Sequence, residues 1–162
     1  MNDKLVISVL GNRNSGKSYT WNTLFRRPVR TGRRMRRLYL STSEYVTVFL
    51  VSGSPEERHT YVGQIVGSSK PSIILCSMQY SANATQSIDY FLQNGYSFYT
   101  HWLNPGFRDH TRQHDSLALV PYLLDRGGVL GIRNAKANLS QRVRELRDYL
   151  YGWARNRKLL FT

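Results

Sequence analysis

The chain has 162 residues, of which 41% are hydrophobic and 12% aromatic, and its formal net charge is +13. This length suits one domain with a sizeable core, and the apolar content excludes a disordered chain. No stretch approaches the roughly 20 apolar residues of a membrane span, no signal peptide is evident, and the single cysteine, Cys76, excludes an internal disulfide. We expect a soluble, cytoplasmic protein whose arginine-rich surface either binds an anionic partner or is merely solvated.

The chain begins with a predicted strand, a loop and a helix. An almost unbroken apolar run over 5–10 is typical of a strand covered on both faces of a parallel sheet. Trp21, Leu24 and Phe25 follow at helical spacing, and Pro28 ends that helix. The loop between them therefore has the strand-to-helix setting in which phosphate-binding loops occur.

This loop matches the pattern G-x-x-x-x-G-K-[S/T] at every fixed position and reads Gly11-Asn12-Arg13-Asn14-Ser15-Gly16-Lys17-Ser18. Glycines allow a tight turn whose backbone N–H groups point at phosphate oxygens, and the positive end of the helix dipole adds attraction. We expect Lys17 to reach the outer phosphates and Ser18 to be the ligand of Mg²⁺. The predicted nucleotide-binding residues, for Mg²⁺ with ATP or GTP, are Gly11, Asn14, Ser15, Gly16, Lys17 and Ser18. The alternative is a glycine-rich turn with a chance lysine.

The densest run of basic residues follows the first helix, beginning at Arg26 and ending at Arg37. Like charges this close repel one another, which predicts a mobile loop until an anion binds. The run fits a binding segment for nucleic acid, for an acidic protein or for a phosphorylated ligand, and it fits a solvated loop equally well.

The rest of the chain alternates between predicted strands and helices. Strands are predicted over 38–40 and 45–51, joined as a hairpin, and then over 72–76, 96–103 and 129–132. Helices are predicted over 61–66, 83–94 and 116–124. A last helix begins near Asn138 with a start signal completed by Gln141. Its apolar stripe, with Arg142 and other charged residues largely elsewhere, consists of Leu139, Val143, Leu146, Leu150 and Trp153.

This alternation predicts a single α/β domain over 1–162, with a mostly parallel sheet and helices on both faces. Together with the phosphate loop, it resembles the P-loop NTPase superfamily, and within it a diverged small GTPase of the Ras-like kind. The basic loop of this chain would correspond to the first switch segment of that family. The predicted strand over 45–51 would correspond to the family strand that leads to a glycine just before the second switch segment. The resemblance implies a nucleotide-binding protein with slow or partner-dependent hydrolysis.

The chain departs from that family at its other motifs. The family strand that ends in Asp-x-x-Gly, whose Asp helps to hold Mg²⁺, is matched by 50–53 without the Asp, and Ser54 stands where the family has its catalytic Gln. The guanine-reading Asn/Thr-Lys-x-Asp would fall at 104–107, where only Asn104 is kept. A later Ser-Ala-Lys is matched in part at 134–136. The sequence therefore does not decide between ATP and GTP. Glu56 and Glu57 are alternative sources of a carboxylate for Mg²⁺.

Two other functions fit the same sequence. A small P-loop kinase would close an arginine-bearing lid over the phosphates, with Arg108 and Arg112 in the lid and Asp109 or Asp115 orienting the acceptor hydroxyl. A non-catalytic module would bind nucleic acid or an acidic protein through its arginines and keep a regulatory nucleotide site.

Two smaller features of the sequence bear on these functions. Arg13 fits either an arginine finger or a solvent-exposed loop position. His110 and His114 are four residues apart, but no third ligand is indicated, so we predict no zinc site.

Overall fold

Residues 3–162 are described by a computed structural model. In chain order, the elements within this range are β1 (Leu5–Gly11), α1 (Lys17–Phe25), β2 (Arg36–Tyr39), β3 (Tyr45–Val51), α2 (Val62–Val66), β4 (Ile73–Gln79), α3 (Ala84–Gln93), β5 (Ser97–Leu103), α4 (Leu119–Leu124), β6 (Val129–Arg133) and α5 (Leu139–Asn156). No helix among them is long and apolar enough to cross a bilayer.

The strands form one six-stranded sheet in the order β2-β3-β4-β1-β5-β6. The β2 strand runs antiparallel to β3, and all other neighbours are parallel. The predicted mostly parallel sheet and the hairpin are confirmed. The central strand β1 is buried along its whole length, which explains its nearly unbroken apolar sequence.

Helices cover both faces of the sheet, as predicted. On one face, α1 and α5 pack with the strands in a cluster that includes Trp21, Leu24 and Val143. On the other face, α2, α3 and α4 pack in a second cluster that includes Ile88 and Cys76. The packing of α1 in the first cluster holds this helix against the sheet and thereby positions the loop that precedes it.

Several element boundaries differ from the sequence predictions. The β2 strand already begins at Arg36, because its backbone pairs with Val48 of β3, so Arg36 and Arg37 belong to a strand and not to a loop. The α4 helix begins only at Leu119 and carries Pro121 in its first turn, where a missing N–H costs little. Asn138 precedes α5 as predicted, but its side chain makes no capping hydrogen bond.

The basic loop between α1 and β2 follows a defined path. Val29 N–H donates to the Asn22 side chain at 2.9 Å, and Gly32 N–H donates to the Leu50 carbonyl at 3.3 Å. The Thr31 hydroxyl accepts hydrogen bonds from the backbone N–H groups of Ser52 (2.9 Å) and of the glycine that follows it (3.3 Å). The middle of the loop is therefore held at the carboxyl end of β3, in contrast to the mobile loop expected from charge repulsion.

A buried polar layer lies between α5 and the sheet. Arg142, predicted away from the apolar face, is buried and donates from Nη1 to the Thr20 hydroxyl of α1 at 2.7 Å. The prediction was wrong because helix α1 supplies an acceptor that the periodicity of α5 cannot show. On β5, the His101 ring is fully buried, with Nε2 3.8 Å from Glu145 Oε2. Glu145 in turn accepts from Arg133 Nη2 at 2.6 Å.

His101 makes folding stability depend on pH. Burial, aided by the nearby Arg133 charge, lowers its pKa from 6.5 to about 4. Between these values the unfolded chain binds a proton that the folded chain does not, so stability falls as the pH falls from 6.5 to 4. The full loss is about 3 kcal/mol at about 1.4 kcal/mol per pKa unit.

Urea unfolding of His101→Asn at several pH values measures this contribution. We expect the variant to lose about 3 kcal/mol less than the wild type across that window. His110→Asn, which alters an exposed histidine, is the control and should keep the wild-type pH profile. Equal losses in the wild type and in His101→Asn would contradict the assignment.

Candidate phosphate-binding site

The predicted phosphate loop lies at the carboxyl end of β1, where the chain turns into α1. Because β1 is flanked by β4 and β5, the loop sits between the carboxyl ends of two neighbouring strands, where ligands bind in open α/β sheets. The first N–H groups of α1 have no partners within the helix and carry the positive end of its dipole. An anion is therefore favoured at this position.

The backbone of the loop adopts left-handed conformations at two positions. Asn14 has a φ of 59° and Gly16 a φ of 101°. Asparagine tolerates the first conformation, and glycine is the residue best suited to the second. Between them, Ser15 N–H closes a turn onto the Asn12 carbonyl at 3.2 Å. This turn curls the loop around the start of α1.

Lys17 folds back over the loop and is 6% exposed. Its Nζ donates to the carbonyls of Gly11 (3.1 Å) and Asn12 (2.7 Å), and it lies 3.3 Å from Glu57 Oε1. Burial lowers the pKa of Lys17, and the Glu57 carboxylate opposes that shift. The ammonium group is thus held at the mouth of the loop by its own backbone and by one carboxylate.

Ser15 is buried inside the loop, and its hydroxyl has no hydrogen-bond partner in the structure. A side chain at Gly11 would lie 2.4 Å from the Ser15 Oγ, so the Ser15 side chain would have to move to admit it. Buried polar atoms in proteins almost always have a partner. An orphaned hydroxyl that also lines the pocket fits a site where a ligand or solvent oxygen completes the hydrogen bonding.

An open pocket of about 440 Å³ surrounds the loop and the start of α1. Asn14, Ser15, Gly16, Lys17 and Ser18 line its floor, and Ser18 is exposed. One side is formed by Ser52 and Glu57 from the segment after β3, and another by Phe107 and Arg108 from the segment after β5. Arg13 and Tyr19 complete its lining. Five of the six predicted site residues therefore line one pocket, and the sixth, Gly11, is the last residue of β1 and is not among the residues that line it.

The segment after β5 is bonded directly to the phosphate loop. Phe107 N–H donates to the Ser15 carbonyl at 3.0 Å. The Asp109 carboxylate accepts from Gly106 N–H at 2.9 Å and from the Asn12 side chain at 3.3 Å. A side chain at Gly106 would lie 2.7 Å from the Ser15 Cβ, so this close approach requires glycine. The segment is a fixed wall of the site, which Phe107 covers with a ring that is 58% exposed.

Two adjacent glutamates take different directions. Glu56 accepts from Gln79 N–H at the end of β4 (3.4 Å) and from the Ser87 hydroxyl (3.2 Å), and burial raises its pKa. Glu57 turns the other way and contacts Lys17. Ser54 is buried, and its hydroxyl accepts from the Glu57 N–H at 3.4 Å, which fixes this turn. Only Glu57 of the two lines the pocket.

Other residues singled out from the sequence have structural partners elsewhere. The Asp115 carboxylate accepts from Tyr80 O–H and from the first N–H groups of α4, so it caps a helix. The Asn104 side chain bonds both backbone polar groups of Gln113, which leaves it no free edge for a base. Arg112 is not among the residues that line the pocket. Of the predicted lid, only Arg108 reaches the site.

The donors present fit a Mg²⁺ ion that arrives with a triphosphate. Within residues 3–162, no group of three or more His, Cys, Asp or Glu could hold a metal alone. Mg²⁺ usually keeps several waters and takes only one or two protein ligands beside substrate phosphates. The exposed Ser18 hydroxyl and the Glu57 carboxylate, which line the same pocket, provide that number.

No protein-family model matches the chain, and neither a curated protein nor a solved structure matches it significantly. The fold is α/β, with a mostly parallel six-stranded sheet and helices on both faces. The chemistry assigned to the site therefore depends on its own residues and geometry.

Proposed function

We propose that the protein binds a nucleoside triphosphate together with Mg²⁺ at the loop formed by residues 11–18. The observation that carries this proposal is Lys17, whose ammonium group is held over a curled loop at the N-terminus of α1 and lines an open pocket. Backbone N–H groups and the helix dipole would hold the inner phosphates, and Lys17 would move from its carbonyl partners to the outer ones.

Ser18 and Glu57 would hold Mg²⁺, which neutralises phosphate charge when bound. Glu57 pairs with Lys17 in the structure. Binding of the triphosphate would separate this pair and release the carboxylate for the metal.

The base would stack on Phe107, whose exposed ring stands on the wall of the pocket. Every base has a π-face, so stacking alone discriminates weakly between bases. Asn104, the one residue kept from the guanine-reading motif, uses both its polar ends on Gln113. We therefore expect ATP and GTP to bind with similar affinities.

We propose slow or partner-dependent hydrolysis as the activity. Ser54 is buried and occupied with the turn at Glu57, so it cannot orient an attacking water. Among the residues that the structure describes, Glu57 is the only carboxylate that lines the pocket. If Glu57 holds the metal, the site needs a further group to position water, and an arginine or carboxylate of a partner would supply it.

Calorimetric titration with non-hydrolysable ATP and GTP analogues, with and without Mg²⁺, tests the proposal. We expect binding of both analogues that is tighter in the presence of Mg²⁺. If neither analogue binds at low ionic strength, the proposed function is wrong.

Glu57→Gln separates the two roles of this carboxylate. Without Mg²⁺, the variant should bind the triphosphate about tenfold more tightly, because the phosphates no longer approach a negative charge and Lys17 loses its competitor. With Mg²⁺, the advantage should disappear or reverse, because a metal ligand has been lost. The measurement is the ratio of the dissociation constants with and without the metal.

Glu56→Gln is the matched control, since it removes the neighbouring charge but not a residue of the pocket. It should leave that ratio near the wild-type value. A Glu57→Gln variant with an unchanged ratio would exclude Glu57 from the metal site.

A further inference from the structure

The basic segment lines part of a groove at the C-terminal end of α1, the opposite end of that helix from the loop over 11–18. The groove runs between the C-terminal end of α1 and the edge strand β2, and its volume is about 680 Å³. Arg26, Arg27, Arg37 and Tyr39 line it. Helix α1 separates the two sites by its nine residues, or about 13 Å of helix.

The charged residues that line this groove are arginines. No aspartate or glutamate occurs in the sequence between Lys4 and Ser43. Arg26, Arg27 and Arg37 are exposed, and within residues 3–162 no acidic residue lines the groove. Guanidinium groups without carboxylate partners at an open groove favour a ligand that carries several negative charges.

Aromatic rings extend from the groove across neighbouring strands. The Tyr39 and Tyr45 rings are 5.3 Å apart between centroids, and the Tyr45 and Phe161 rings are stacked at 5.7 Å. The chain end is held there by two backbone hydrogen bonds between Tyr45 and Phe161, both 2.9 Å long. Tyr39 is 52% and Phe161 46% exposed, so both ends of the row are open to a ligand.

Arginine and aromatic groups are interleaved along this surface. The Arg37 guanidinium lies over the Tyr45 ring, 4.6 Å from its centroid. Arg37 and Tyr39 alternate along β2 with the buried Leu38, so both project from the outer face of the hairpin. An acidic peptide would use the arginines alone, whereas a nucleic acid strand also uses exposed rings on which its bases stack.

We propose that this arginine and tyrosine groove binds single-stranded nucleic acid, with backbone phosphates on Arg26, Arg27 and Arg37 and a base stacked on Tyr39. Duplex nucleic acid fits less well, because its stacked bases offer no face to the ring. This binding site does not depend on the nucleotide site proposed above.

Fluorescence anisotropy with a labelled oligothymidylate of about 12 nucleotides tests the proposal, in salt between about 50 and 200 mM. We expect binding that weakens steeply with salt. Replacing Arg26, Arg27 and Arg37 together by alanine should make the slope of log K against log[salt] shallower by about 2, since each phosphate contact to a single strand contributes about 0.7.

Tyr39 distinguishes stacking from simple charge attraction. Tyr39→Ser should weaken binding at least about fivefold, whereas Tyr39→Phe, which keeps the ring, should bind as the wild type does. Arg126→Ala is the matched charge control. Arg126 lies between α4 and β6, and β6 is five strand spacings, or about 24 Å, across the sheet from β2. Arg126→Ala should leave oligonucleotide binding unchanged.

Three results would overturn the proposal. The first is no binding of the oligonucleotide at about 50 mM salt. The second is an equal loss of affinity in Arg126→Ala and in any single groove arginine variant. The third is a polyglutamate peptide that competes as well as unlabelled oligonucleotide, together with a Tyr39→Ser variant that binds the oligonucleotide as the wild type does. The last result would assign the groove to an acidic protein.

Discussion

Lys17→Ala is expected to weaken the binding of Mg²⁺ and a triphosphate by about a hundredfold. Hydrogen bonds to charged groups contribute about 1.5–3 kcal/mol each, and about 1.4 kcal/mol corresponds to a tenfold change in affinity. Within the described range 3–162, Lys17 is the only lysine that lines the pocket, where it is largely removed from solvent and its charge is weakly screened. Calorimetric titration of the variant with either nucleotide analogue gives the loss directly.

The matched control is Lys4→Ala, which removes the same charge at the opposite end of β1. Lys4 donates to the Asn94 carbonyl at 3.2 Å and lies over the Tyr96 ring. Strand β1 separates it from the phosphate loop by about 23 Å. Similar losses in both variants would show that the net charge of +13 attracts nucleotide without a specific site.

The strand, the loop over 11–18 and the helix that follows could be predicted because their signal is local. A buried strand, two glycines, a lysine and a helix follow one another within about twenty residues, and each has a conformational reason to stand where it does. The positive φ of Gly16 agrees with the requirement for glycine at that position. The nucleotide, the metal and the hydrolysis stay predictions, because the loop geometry alone does not test them.

Residues brought to the site from distant segments could be predicted only in part. The sequence shows Glu56 and Glu57 side by side, but the turn fixed by Ser54 decides which of them faces Lys17. Phe107 had no signal beyond being an aromatic residue after a Pro-Gly turn. Its position depends on the close contact between Gly106 and Ser15, which joins segments about ninety residues apart.

The order of the strands could not be predicted from the sequence either, because it also depends on contacts between distant segments. Alternating helices and strands predict a parallel sheet, but they do not tell which strand is next to β1. In the structure β4 lies between β3 and β1, so the strand that ends at Val51 is not adjacent to the phosphate loop strand. Ser52 and Glu57 therefore reach the pocket only through the segment that follows β3.

Trp21→Ala is expected to cost about 3–5 kcal/mol of folding stability. Trp21 is fully buried in the middle of α1, and its indole N–H donates to the Ser77 hydroxyl of β4 at 2.8 Å. The substitution leaves a cavity between the helix and the sheet and also leaves the buried hydroxyl unpaired. Urea unfolding monitored by far-UV circular dichroism measures the loss. Tyr19→Ala, which truncates an exposed ring on the same helix, should change stability by no more than about 0.5 kcal/mol.

Since domains of this size are stable by only about 5–15 kcal/mol, Trp21→Ala is expected to be partly unfolded on heating to moderate temperatures. Trp21→Phe, which loses the hydrogen bond and part of the ring, should cost less, about 1–2 kcal/mol. A ligand that binds the loop before α1 stabilises the folded state, so it should restore stability by mass action. Mg²⁺ and nucleotide analogue at about 100 times the dissociation constant should return about 2.7 kcal/mol to either variant. A Trp21→Ala protein within about 1 kcal/mol of the wild type would show that α1 is not anchored through this ring. Folded variants that gain no stability from nucleotide would show that nucleotide does not bind the folded protein.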